Sequence, residues 1–129
     1  MVENYLTDEM KSSGAALIQK MDAAGLQPDA AFWLYDSESQ TWKLVIAEVK
    51  VGVTGPRKGY RQIQELLRQY SKQIQGVSLD DISLTTPNAP VVALLGRAIK
   101  TGPGISGIRF VNNVINGTLI EDAYIYRLS

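Results

Sequence analysis

The chain contains no cysteine and no histidine in 129 residues. Without cysteine there is no disulfide framework, no thiol nucleophile and no thiolate zinc site. Without histidine there is no Ser-His-Asp triad and no imidazole pH switch. An excess of charge of one sign is also missing: thirteen basic and thirteen acidic residues cancel. No global field therefore draws the protein to nucleic acid or to a membrane. Long apolar runs are absent too. The runs present, such as residues 44–47 and 91–95, fall far short of the ~20 residues a membrane span needs. Residues 1–9 are acidic and lack the basic-then-apolar order of a signal peptide, so a bacterial-type cytoplasm is the expected setting. The Asn116-Gly117-Thr118 sequon then carries no weight, because glycosylation requires secretion.

What is present reads as one soluble globular domain. The composition is 45% hydrophobic and 20% charged, and the length suits one core. A first helix is expected over residues 8–24. Thr7 is its N-cap, Asp8 and Glu9 lie at the positive end of its dipole, and Gly25 stops it. Met10, Gly14, Leu17, Ile18 and Met21 form its apolar stripe, with Gly14 marking close packing. Residues 30–35 and 41–51 are aromatic or β-branched and are separated by the polar turn 36–40. They predict an antiparallel hairpin, apolar on both faces and so inside the sheet. After a connector at 52–55, Pro56 opens a second helix through residue 74, with Tyr60, Ile63, Leu66 or Leu67, Tyr70 and Ile74 inward.

Residues 82–85 suggest a short strand. A third helix, capped by Asn88, is expected over residues 89–100, with Val91, Leu94, Leu95 and Ala98 inward. The tract 101–107 is a loop. Residues 108–111 and 118–128 predict a second hairpin about Asn116-Gly117, the strongest short turn signal. The order αββαβαββ defines an α+β domain with a mixed or antiparallel sheet and helices packed against it.

Charge is unevenly distributed. Residues 1–50 carry four basic and eight acidic groups, net −4, whereas residues 51–76 carry five basic and one acidic, net +4. The outer face of the second helix is therefore basic, through Arg57, Lys58, Arg61, Arg68 and Lys72. A solvated face is the ordinary reading and nonspecific phosphate contact the sharper one.

Pro28-Asp29, eighteen residues, then Glu48-Val49-Lys50 is one constellation that carries chemistry. With the turn centred between Glu38 and Ser39, paired residues sum to 77 and Asp29 faces Glu48. Strand alternation then places Lys50 on the face of Glu48. The spacing resembles the PD-(D/E)xK pattern of the restriction-endonuclease-like nucleases. That resemblance implies Mg²⁺ or Mn²⁺ held by Asp29 and Glu48, Lys50 polarising the attacking water, and nucleic acid as substrate. A hard cation on carboxylates supplies hydroxide and neutralises phosphate. Glu9 is a candidate further ligand, and Gln62 and Gln69 are candidate substrate contacts. The ordinary reading is turn chemistry at Pro28-Asp29 and a strand end reaching solvent at Glu48-Val49-Lys50.

Ala30-Ala31-Phe32-Trp33-Leu34-Tyr35, Trp42-Lys43-Leu44-Val45-Ile46-Ala47, residues 101–110 and residues 120–128 together resemble a group of small bacterial proteins of no assigned activity. The resemblance spans nearly the whole chain and implies no function. Glu48-Val49-Lys50 departs from that group, which makes the motif incidental to it.

Other features carry less. Gly102-Pro103-Gly104-Ile105-Ser106-Gly107 spells GxGxxG, but follows a helix and opens a strand, the reverse of a dinucleotide loop. Asp80-Asp81 and Glu121-Asp122 are neighbours, and neighbours on a strand point to opposite faces. Trp33, Tyr35 and Trp42 share the face of Asp29 and read as core rather than as a base-stacking platform. The leading expectation is a binding or accessory module without catalysis or cofactor. Its apolar hairpins, where they expose an edge, would mediate a homodimer. The alternative is the metal-dependent nuclease.

Overall fold

A computed structural model describes residues 5–129, apart from the side chains of Val49 and Lys50; the start of the chain, residues 1–4, lies outside the described part. Helix α1 is Asp8–Ala23, and the Thr7 hydroxyl accepts from the Met10 N–H at 3.1 Å, as its sequence predicts. Gly25 follows with φ +80°, which satisfies the expected helix stop. Strands β1 (Ala30–Asp36) and β2 (Thr41–Ala47) form the antiparallel hairpin. Its register runs from Ala30 opposite Ala47 to Asp36 opposite Thr41, so every pair sums to 77.

Helix α2 (Val49–Thr54) and helix α3 (Arg57–Gln69) come next. A 3-10 turn (Leu79–Asp81) leads into β3 (Ile82–Thr85), and α4 is Pro90–Ala98. Strands β4 (Ile108–Ile115) and β5 (Thr118–Leu128) form the second hairpin. Asn116 and Gly117 carry φ +49° and +78°, the left-handed pair that a tight two-residue turn requires.

The five strands form one mixed sheet in the order β3-β2-β1-β5-β4, with β3 parallel to β2 and the other pairs antiparallel. The first hairpin is interior, and the α+β class stands. Three boundaries differ from expectation. The strand projected through residue 51 stops at Ala47, because the ladder beyond it ends. β1 begins at Ala30, and the Glu48 N–H makes the last bond, to Thr85 O. Unpaired backbone then satisfies itself locally, and Val49–Thr54 coil into α2. The second expected helix ends at Gln69, and Ile74 reaches the core from a turn whose N–H groups bond to Tyr70 O. Asn88 does not cap α4. Ala89 holds that position without a side-chain bond, and Ala98 is exposed.

The sheet separates two apolar layers. Ala31, Trp33, Leu44 and Ile46 point to one side, where they meet Leu17, Ile18 and Met21 of α1 and Ile63 of α3. Trp42 joins them there and Tyr35 packs against the cluster, so these aromatics are core. Ala30, Phe32, Val45 and Ala47 point to the other side, where Val92 and Leu95 of α4 meet them. Two helices thus cover one face and a single short helix the other. Five strands span about 19 Å between outer axes at ~4.8 Å spacing, whereas one helix covers a width of about 10 Å. One face of the sheet therefore remains partly uncovered.

Candidate functional site

The uncovered part of the α4 face is an open groove of about 700 Å³. Its floor follows from strand alternation. Leu34 is opposite Lys43, and Val45 is next to Ser83, so all four share the face on which α4 packs. Val91 of α4 and Ile120 of β5 close the apolar walls, and Thr85 continues the floor along β3. The volume lies within the range of small-molecule sites, about 300–1,000 Å³.

The rim is acidic. Asp36, Glu38 and Glu121 border it, against a single cation, Lys43. Lys43 Nζ is engaged, donating to Asp80 O at 3.0 Å. Asp36 is held at the hairpin turn, where its carboxylate accepts from Glu38 N–H and Ser39 Oγ, both at 3.0 Å. Glu38 is exposed and Glu121 is half-buried. The groove thus offers an apolar floor with anionic borders, a setting that favours an apolar ligand carrying positive charge.

The residues singled out by motif lie elsewhere. The observed register matches the sum of 77, but β1 begins only at Ala30, and the Asp29 N–H bonds to Ala47 O at 2.9 Å, one residue out of that register. Asp29 borders clefts shared with Arg97 of α4 and Lys100 just beyond it, and with Asp22, Arg127 and Ser129. Glu48 is buried, 5% exposed, and borders a different cleft with Val51, Thr54, Lys58 and Gln62. Lys50 lies in α2, so strand alternation no longer relates it to Glu48, and its side chain is outside the described part. Glu9 sits in the first turn of α1 with its carbonyl against Gly76. Among the described residues no three Asp or Glu side chains gather as a divalent cation would need. The basic residues of α3 and its following turn are all exposed, and Arg68 pairs with Glu65. Residues 102–107 form the loop before β4, as their order implies.

Two buried polar assemblies escaped the sequence reading. Arg127 is 3% exposed. It donates to both carboxylate oxygens of Asp22, at 3.0 and 2.7 Å, and to the carbonyls of Pro28 and Gly104. It thereby ties the end of α1 and two loops to β5. Tyr126 Oη accepts from Trp33 Nε1 at 3.0 Å and donates to Lys11 O at 2.5 Å. Burial pushes the Tyr126 hydroxyl above the usual tyrosine range, opposed in part by the Trp33 N–H. Both assemblies join residues about a hundred positions apart, so no local spacing announces them.

Compared with protein-family models, curated proteins and solved structures, the chain matches none. Among the described residues no helix is long and apolar enough to cross a membrane.

Proposed function

We propose that this protein is a binding module whose sheet groove receives an extended, apolar segment of a partner protein bearing lysine or arginine. The observation that supports this reading is the groove itself: Leu34 and Val45 on the floor beside Lys43 and Ser83, apolar walls of Val91 and Ile120, and an acidic rim. The apolar side chains supply affinity through water release, and the rim selects charge. Nothing in this role requires catalysis. The test is calorimetric titration with a capped peptide alternating leucine and lysine, beside an otherwise identical leucine–glutamate peptide. The basic peptide binds and the acidic one does not. The double charge reversal Glu38→Lys with Glu121→Lys weakens the basic peptide at least about tenfold, the scale of one or two modest charge contacts. Equal binding of both peptides, or of neither, removes the reading.

A second reading, the Mg²⁺- or Mn²⁺-dependent nuclease, is favoured by one observation: Glu48 shares its cleft with Lys58 and Gln62 of the basic helix. It asks Asp29 and Glu48 to hold one ion from different clefts, and the geometry supports it less. Incubation with supercoiled plasmid and Mn²⁺ separates the two. Nicking that needs both metal and Glu48, by comparison with Glu48→Gln, establishes the nuclease. Nicking by neither protein, or by both alike, dismisses it.

A further inference from the structure

We propose that β4 pairs edge to edge, antiparallel, with β4 of a second copy of this chain, joining the two sheets into one. The two outer edges of the sheet differ. At the β3 edge, Tyr60 of α3 stands against the strand: its hydroxyl accepts from Leu84 N–H at 3.0 Å and approaches Ile82 O at 3.4 Å. That contact occupies backbone groups another strand would use. At the opposite edge, β4 has β5 on one side and, among the described residues, no strand on the other.

The hairpin also outruns its support. β5 pairs with β1 only as far as Ala123, opposite Leu34. From Asp122 to the turn it pairs with β4 alone. A two-stranded ribbon is marginal in water unless another layer or strand covers it. Five large hydrophobic residues are exposed among those described, and three belong to this hairpin: Val111 at 45%, Val114 at 66% and Leu119 at 52%. Two of the usual guards of an open edge are missing, since β4 holds no proline and no lysine; its irregularity is confined to Asn112, with φ +50°, and to Asn113, whose Nδ2 donates to Val111 O at 2.9 Å.

The occupant is a second copy because β4 complements itself. Its only charge, Arg109, is spent on Asp122 of β5, with both bonds at 2.6 Å. Antiparallel self-pairing therefore opposes valine, isoleucine, phenylalanine and asparagine without bringing uncompensated like charges together. Such a contact is isologous and closes at two chains. Antiparallel pairing of two edges sets the two-fold axis perpendicular to the sheet. Both α4 faces then look the same way, and both grooves open on one side of a continuous sheet. The dimer contact stands on the β4 edge and not on what the grooves bind.

The experiment is sedimentation equilibrium of the full chain across low- to high-micromolar concentrations, joined to amide hydrogen exchange. Wild-type protein moves from a mass of 14.2 kDa towards twice that value. Over the same range, protection appears at alternate amides of residues 108–115, those facing the outer edge. Val111→Lys with Val114→Lys, both at exposed positions, leaves the thermal unfolding temperature near wild type and weakens association at least about tenfold. A wild-type mass fixed at the monomer overturns the proposal. So does a dimer that both lysines leave intact, or one whose protection appears away from β4.

Discussion

Tyr126 shows how a single buried hydroxyl organises this fold. It receives the Trp33 N–H and reaches the α1 backbone at Lys11 O, so it links the sheet to the helix above it. Gly14 exists to admit it, because a Cβ there would collide with Tyr126 Oη and touch Trp33 Nε1. Gly14→Ala therefore destabilises the protein by about 1–3 kcal/mol, the range of overpacked cores. Tyr126→Phe strands the buried Trp33 N–H, at about 1–3 kcal/mol. The two losses are not additive. With the hydroxyl gone, Gly14→Ala is less costly, and a double-mutant cycle in urea reads that coupling.

The same hydroxyl predicts a pH response. Its folded pKa is raised by burial, so above about pH 10, the usual tyrosine value, the unfolded chain loses this proton first. The folded state then binds more protons than the unfolded state, and stability falls as pH rises. Tyr126→Phe lacks this component of the alkaline loss. Equal slopes for the two proteins above pH 10 would count against the assignment. Only the close packing at Gly14 was legible in the sequence. Gly14 stood in an apolar stripe and announced close packing, but its partner lies more than a hundred residues away.

Among the elements, the two hairpins and both ends of α1 were legible, and the ends of the later helices were not. Turn chemistry and strand patterning are local, so the 77 register and the Asn116-Gly117 turn followed from neighbouring residues alone. The end of β2 depends on where β1 and β3 stop. Val49, Val51 and Val53 suit a strand but find no ladder, and they enter α2. That single event separates Lys50 from the strand logic on which the metal motif relied. Edge protection is another property of elements. Tyr60→Phe removes the hydroxyl from Leu84 N–H and Ile82 O, lowering stability by about 1–2 kcal/mol and exposing the β3 edge. Chemical unfolding measures the first effect. Faster exchange at Leu84 N–H measures the second, and unchanged exchange there would show that Tyr60 does not guard the edge.

At the scale of the whole molecule, coverage of the sheet decides what the protein offers its surroundings. Two helices fill one face and one helix of nine residues half-fills the other, leaving the groove. Every element but α2 was expected, but which helix goes to which face is a topological fact that periodicity does not encode. The acidic rim predicts that peptide affinity falls as salt rises, since its charges are exposed to screening. The apolar floor predicts that a residual, salt-insensitive affinity persists. The most direct test is to titrate the leucine–lysine peptide into methyl-labelled protein and follow the methyl resonances. Shifts gathered at Leu34, Val45, Val91 and Ile120 are the predicted result. No shifts, or shifts centred on Val51 beside Glu48, would contradict the groove as the binding site.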